Sequence, residues 1–180
     1  KSLLSGKVKL IHHGSNFGYG AAIRSGIKYA SKDFICLIAA DCQYSPDTIP
    51  MLLERIRDAD IIAPYRKKRK DPFIRILMGK IYTKLINLIF RQDFKDINCG
   101  IKLFKKTSLS TIIIKSNGNL IDAELLLKAK KKGYRINQIG VKHLPRTKGK
   151  ATGISLRNLL RVINEFMGLY KELKNYERQN

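Results

Sequence analysis

Phe34-Ile35-Cys36-Leu37-Ile38-Ala39-Ala40-Asp41-Cys42-Gln43-Tyr44-Ser45-Pro46 is the stretch whose reading decides the fold. A short uncharged apolar run bounded by turn formers is how a strand buried on both faces reads, so residues 34–40 are assigned to a strand. The acid at its end is costly to place there unless it is used or capped. Asp41 and Gln43, two residues apart in an extended turn, can send oxygens to one side, and hard oxygen ligands suit Mg2+ or Mn2+ when a diphosphate supplies the rest. The competing reading of Asp41 is a cap or turn aspartate.

Outward from this run, apolar segments alternate with segments of helical period, the pattern of strands joined by crossover helices. The fold class is therefore α/β, a mostly parallel central sheet flanked by helices. Upstream, residues 8–11 read as a strand and 20–30 as a helix. Downstream, Pro46 suits the first turn of a helix running to about Arg57 with Ser45 as its N-cap, and residues 60–65 return as a strand. Residues 73–90 carry Ile74, Leu77, Met78, Ile81, Leu85 and Leu88 on one side and basic residues on the other, a side that something must cover. A strand is expected over 101–104, a helix over 120–132 ended by Gly133, and an alternating strand over 134–141. Leu156, Leu159, Leu160, Ile163, Phe166, Met167 and Tyr170 recur at helical spacing in the tail. Two units result: residues 1–154 as the main domain and 155–180 as an amphipathic helix with a polar end.

The chain has 180 residues, with Lys+Arg 36 against Asp+Glu 14 and a formal net charge of +22. That imbalance calls for an anionic partner: nucleic acid, an anionic bilayer face or a phosphorylated small molecule. No nucleic-acid reader motif is present, and the basic residues are not interleaved with aromatics, so nucleic acid is the remote choice. Cys36, Cys42 and Cys99 lack CxxC spacing, which points away from a disulfide framework or a zinc site and toward a reduced compartment. The most apolar stretch is interrupted by Arg75, Lys80 and Lys84, so no segment is read as spanning a bilayer.

Ligands of open α/β sheets bind beyond the carboxyl ends of strands. Besides Asp41, two such places carry chemistry. Asn16-Phe17-Gly18-Tyr19-Gly20-Ala21-Ala22 is a glycine-containing turn feeding a helix, where backbone N–H groups could face an anion. Ile23 stands where a dinucleotide fingerprint needs its third glycine, and a tight turn with Asn16 bonding its own backbone is the simpler alternative. Arg66, Arg75 and Arg146, with Lys148 and Lys150, offer guanidinium forks and ammonium groups that match phosphate oxygens if they converge, and a solvated surface if they do not.

In order and spacing these segments resemble family 2 glycosyltransferases of the GT-A fold, in particular the dolichyl- or undecaprenyl-phosphate sugar synthases related to dolichyl-phosphate mannose synthase. The resemblance rests on Asn16, Gly18, Gly20, Ala22 and Gly26; on Ala39, Ala40, Asp41 and Gln43; on Arg66 and Arg75; on D-I-N-C-G-I-K-L-F over 96–104; on D-A-E-L-L over 122–126; and on R-T-K-G-K over 146–150. It implies inverting transfer of a sugar from a nucleotide-sugar donor to a polyprenyl phosphate acceptor at the cytosolic face of an anionic membrane surface. Asp41 and Gln43 would hold Mg2+ or Mn2+ on the donor diphosphate. Asn16, Gly18, Ala39, Ala40, Arg66, Arg75, Arg146 and Lys150 would surround donor and lipid phosphates, and Glu124 would line the acceptor side as a catalytic residue, its alternative being an ordinary surface helix position.

Two positions depart from the family pattern. Ala39 stands where relatives often carry an aspartate, so metal binding is expected to be weak or lipid-assisted. Ala151 and Thr152 replace a hydroxyl and a cation of the R-x-x-G-x-S-K ending. Relatives begin with a strand and an acidic turn that hold the nucleotide base; the chain starts at Lys1, and the first strand–helix unit is expected to be missing from it. The rival readings are a catalytically impaired relative and a soluble family 2 transferase acting on a glycan or protein.

Overall fold

A computed structural model describes residues 8–146 and 156–179. Its elements are α1 (Tyr19–Tyr29), β1 (Phe34–Ile38), α2 (Thr48–Arg55), β2 (Ile61–Ile62), β3 (Tyr65–Lys67), α3 (Phe73–Phe90), β4 (Ile101–Lys105), α4 (Lys106–Leu109), α5 (Ile121–Lys131), β5 (Ile136–Asn137), β6 (Gly140–Lys142) and α6 (Leu156–Gln179). The main sheet has the order β1-β4-β2-β5. β4 pairs antiparallel with both β1 and β2, while β2 and β5 are parallel. Three strands therefore run in one direction around a single reversed strand. β3 and β6 form a small parallel ribbon beside it.

β4 sits between two neighbours and is buried on both faces, and its alternation sorts the core. Ile101 and Leu103 pack with Tyr44, Leu52, Ile56, Ile62 and Val141 on one side. Phe104 joins Ile61, Leu109, α5 and α6 on the other. Period-two alternation places neighbours on opposite faces, which also explains why Ile61 and Ile62 belong to different clusters. Lys102 is an ionisable group in the middle of this strand and is buried; its Nζ donates to the Cys99 carbonyl at 2.7 Å and pairs with Asp122 at 2.6 Å. α5 is buried nearly all round, so it is the central helix rather than a surface one.

Several boundaries differ from the sequence reading. Residues 8–11 form no ladder. The helix read as starting at Pro46 begins at Thr48; Ser45 accepts from the Asp47 N–H at 3.3 Å and donates to its carboxylate, making a turn ahead of the helix. The strand expected over 60–65 divides at Ala63-Pro64, and the one over 134–141 divides at Gln138-Ile139. Both breaks fall at the same level, with Ala63 N–H donating to Asn137 O and Tyr65 N–H to Ile139 O across the bend. Proline has no N–H for a ladder, so the pair crosses from one sheet to the other there.

α3 spans the predicted residues and stops where Arg91 takes a left-handed conformation, with Asn87 clamping the Phe94 backbone from both sides. Its apolar side is not covered among the described residues. Phe73, Ile74, Leu77, Met78, Ile81, Leu85 and Leu88 are exposed, whereas Thr83 and Ile86 face the core. α5 ends before Gly133, whose positive φ supplies the turn as the sequence indicated. The three cysteines are free.

Candidate functional site

β1 ends at Ile38 because the next residues leave the sheet edge: Ala39 N–H still reaches Gly100 O at 2.8 Å, then the chain bends. Gly100 makes room for this. A Cβ there would lie 3.1 Å from the Tyr44 ring and 3.2 Å from the Ala39 methyl. Tyr44 tucks under the turn, its hydroxyl accepting the Gly100 N–H at 2.9 Å, and burial pushes its phenol well above the usual range. Cys42 adopts φ 61, so the turn reverses sharply and Asp41 Oδ1 accepts the Gln43 N–H at 3.2 Å. The turn-aspartate reading and the ligand reading thus describe the same side chain, one oxygen for each.

Gln43 is 5% exposed and stitches this turn to the segment after β6. Its carbonyl accepts from Leu144 N–H at 3.0 Å and its Nε2 donates to Leu144 O at 3.5 Å. That pairing delivers Arg146, whose Nη2 lies 2.8 Å from Asp41 Oδ2 and 3.3 Å from Gln43 Oε1. Arg146 Nε is buried without a hydrogen-bond partner. Asp41, Gln43 and Arg146 therefore converge beyond the carboxyl end of β1, whereas Arg75 is held by Asp71. Tyr19, at the start of α1, is close enough that after burial, Asp122 and Asp41 push its phenol pKa further up.

A second cluster adjoins the first. Asp71, with a side chain only 2% exposed, takes Arg69 at 2.8 Å, Arg66 at 3.5 Å and Arg75 at 3.8 Å, and His143 Nε2 lies 3.8 Å away. Gly79 of α3 leaves the space in which Arg69 lies. Arg75 sits in the first turn of α3 with its side chain 37% exposed and only this one long pair, so it can still turn toward a ligand.

Four expected site residues are used otherwise. Arg66 is a correction: Nε and Nη2 grip Asp96 at 2.6 and 2.8 Å, and its side chain is buried, which leaves no fork for phosphate. Glu124 is another. It is buried, accepting from the Lys115 and Ser116 N–H groups at 2.9 and 2.8 Å and from Lys128 Nζ at 2.7 Å, so its oxygens tie a loop to α5. Asn16 Oδ1 accepts the Gly18 N–H at 3.0 Å, the simple turn. Gly18, with φ 93, and Gly20 pack on the 116–117 backbone; a Cβ on Gly20 would lie 2.3 Å from Ser116 O, and Gly20 N–H donates to Asn117 O. The glycines serve a packing joint rather than an anion cradle. Ala39 and Ala40 lead into Asp41 in the same turn, and Lys148 and Lys150 lie outside the described residues.

Sequence reasoning missed Tyr44, Asp71, His143 and the Lys102–Asp122 pair. Lys102 and Asp122 stood inside quoted motifs, and an ionisable residue within an otherwise apolar strand was the available signal. His143 had none, because Lys70 and Asp71 come from a distant segment; Asp71 had one, since Arg66, Arg69 and Arg75 all lie within five residues of it.

Among the described residues no group of three His, Cys, Asp or Glu side chains could hold a metal ion. The set that remains, one carboxylate and one amide oxygen, already converges on a single cationic nitrogen of Arg146. Two such oxygens fit a divalent cation that draws its other ligands from a diphosphate and water.

Residues 1–113, more than half of the chain, match the family model "Glycosyl transferase family 2". A curated relative, the undecaprenyl-phosphate 4-deoxy-4-formamido-L-arabinose transferase of Salmonella paratyphi B, is 28% identical over 99 residues, covering 54% of this chain and 30% of the relative. The fold is shared with glucosyl-3-phosphoglycerate synthase from Mycobacterium tuberculosis. Its complex with Mn2+ and UDP-glucose aligns at a TM-score of 0.64 and 15% identity over 86% of this chain and 55% of that one. Its complex with Mn2+, UDP and glucosyl-3-phosphoglycerate aligns at 0.59 and 13%, over 88% and 53%. The chain thus spans about half the length of these solved structures and under a third of the curated relative. With the GT-A fold and the matched family model in agreement, the chain belongs to glycosyltransferase family 2.

Proposed function

We propose that the protein transfers a sugar, with inversion, from a nucleotide-diphosphate donor to a polyprenyl phosphate at the cytosolic face of a membrane. The observation that carries this reading is the convergence of Asp41, Gln43 and Arg146 at the carboxyl end of β1. Arg146 supplies a guanidinium fork for diphosphate oxygens, and its link to Asp41 and Gln43 holds it there before the donor arrives. Asp41 and Gln43 would hold Mg2+ or Mn2+, which offsets charge on the departing nucleoside diphosphate when bound.

A lipid phosphate oxygen is ionised at neutral pH, so a strong general base is unnecessary and electrostatic stabilisation dominates. The engagement of Glu124 in a loop anchor agrees with that economy. Arg75 stands at the positive end of the α3 dipole, in the first turn of a helix with an exposed apolar side. A polyprenyl chain lying along that side would bring its phosphate to Arg75. No helix among the described residues is long and apolar enough to cross a membrane, so α3 would lie in the interface, where each nearby Lys or Arg adds about 1 kcal/mol of attraction to an anionic surface.

The test is transfer by the full protein, with Mn2+, a panel of nucleotide sugars and polyprenyl phosphate in anionic vesicles. A lipid-linked sugar appearing with stoichiometric nucleoside diphosphate is the expected outcome. A folded protein that transfers nothing from any donor is a catalytically silent relative, and one that ignores vesicles but glycosylates a soluble acceptor defeats the lipid assignment.

A further inference from the structure

His143 belongs to neither cluster by sequence, yet touches both. It follows β6 directly and is buried. Its Nδ1 accepts the Lys70 N–H at 3.1 Å, which requires that atom to be unprotonated and puts the ring proton on Nε2. Nε2 is buried without a hydrogen-bond partner and lies 3.8 Å from Asp71 Oδ2. The ring stands edge-on to Tyr44, centroids 5.7 Å apart at 74°, and Tyr44 in turn supports the Asp41 turn through Gly100. The residue after it, Leu144, is bonded to Gln43 through both backbone and side chain.

From this arrangement we infer that His143 is a positioning residue that locks the Lys70–Asp71 turn, and through Asp71 the Arg75 guanidinium, in register with Asp41, Gln43 and Arg146. The inference rests on the reading of those residues as the donor and acceptor halves of one transferase site. An imidazole suits the place for a physical reason. Asp71 already faces Arg66, Arg69 and Arg75, so an N–H carried by a neutral ring adds contact without a fourth positive charge. Burial, the largest cause, holds His143 below its usual pKa; Asp71 pulls it upward, Arg66 and Arg69 add to the lowering, and the net direction is in keeping with a neutral ring. The ring spans the backbone of one loop and the aromatic prop of another.

The test uses the full protein carrying His143→Ala, His143→Asn or His143→Gln. Asparagine keeps an acceptor where Nδ1 stands, and glutamine reproduces only the donor end. Steady-state kinetics would be measured separately for donor and polyprenyl phosphate, together with amide hydrogen exchange across residues 66–71. His143→Ala is expected to raise KM for the lipid phosphate about tenfold, the size of one lost buried hydrogen bond, with donor KM moving much less. His143→Asn should recover most of that loss and His143→Gln little. Exchange at Lys70 should speed up in the alanine variant and return toward normal with asparagine. A parallel rise in both KM values, or asparagine as damaging as alanine, overturns the inference. If the wild-type protein transfers no sugar, the transferase reading fails by itself, and the exchange still decides the joint: an unchanged Lys70 amide in His143→Ala refutes it.

Discussion

Arg146 Nη2 and Asp41 Oδ2 meet at 2.8 Å across the mouth of the turn that follows β1, and the same nitrogen reaches Gln43 Oε1. The guanidinium therefore sits between the two oxygens that the proposed function assigns to a divalent cation. On the proposed function, metal and diphosphate would exchange this contact for phosphate oxygens on Arg146 and metal on Asp41, a swap in which every charge keeps a partner.

Asp41→Asn should accordingly lower kcat/KM for sugar transfer by at least about 100-fold, the scale of a lost transition-state electrostatic contact. Arg146→Lys should lose nearly as much, since an ammonium cannot fork between two oxygens. Initial rates at several Mn2+ concentrations would show it. An Asp41→Asn variant with wild-type rates and unaltered metal dependence would remove Asp41 from the site.

The Arg66–Asp96 pair predicts how stability follows pH. Burial alone would raise the Asp96 pKa, but the hydrogen bonds and charge of Arg66 outweigh it and hold the carboxyl below its usual range; Asp71 is lowered in the same way by Arg69 and Arg66. At pH values between the folded and unfolded pKa the native state binds fewer protons, so this stabilisation is complete above the unfolded value of about 4 and is lost as pH falls further. Thermal midpoints should decline gently below about 6.5, where unfolding lets the buried neutral His143 take a proton, and drop more steeply below about 4 as the carboxylates titrate. Asp96→Asn should lower the midpoint at pH 7, leaving the buried Arg66 with only its longer contact to Asp71 at a cost of up to about 3–5 kcal/mol, and make the acid limb shallower. An acid limb unaltered by that substitution would show the pair to be irrelevant.

Much of this site could be read from local pattern, and the reasons for the failures are specific. α3 is legible to the residue because its apolar positions keep one helical spacing from Ile74 to Leu88, and Asp41 draws notice because a carboxylate after an apolar strand needs an explanation. Pro64 carried the information that the strand must break, but a break between two sheets is a tertiary event. Arg66 read as a ligand because the sequence shows a cation and not its partner; Asp96 lay within a quoted motif, and only the fold brings the two together. His143 pairs with Lys70 and Asp71, and no periodicity links those segments.

The exposed side of α3 predicts membrane affinity separable from stability. Leu88 is 74% exposed, Ile74 58% and Ile81 50%. Ile81→Ser with Leu88→Ser changes no charge and removes apolar groups that would enter the bilayer at about 0.8 kcal/mol per CH2, so vesicle sedimentation should weaken by more than tenfold while the thermal midpoint holds. Ile86→Ala, on the buried side of the same helix, should do the reverse: a loss of about 2–5 kcal/mol in stability with vesicle binding unchanged for the folded fraction. Equal vesicle binding by the double serine variant would show that α3 does not meet the lipid.

Glu124 separates an anchoring carboxylate from a catalytic one. Its two oxygens receive the Lys115 and Ser116 N–H groups and the Lys128 ammonium, while Glu165 of α6 takes the next two N–H groups, Asn117 and Gly118, at 3.0 and 3.3 Å. Four consecutive amides are thus held by two carboxylates. The Gly20 N–H bond to Asn117 O then fixes α1 against the same loop. Glu124→Gln puts an NH2 group against one of these donors, and the conflict should cost about 1–3 kcal/mol, or roughly 2–10 °C in thermal midpoint. Hydrogen exchange should accelerate over 115–118 while kcat per folded molecule changes less than about threefold. The opposite result, a kcat collapse at an unchanged midpoint, would return Glu124 to the reacting centre and require the loop to open during turnover.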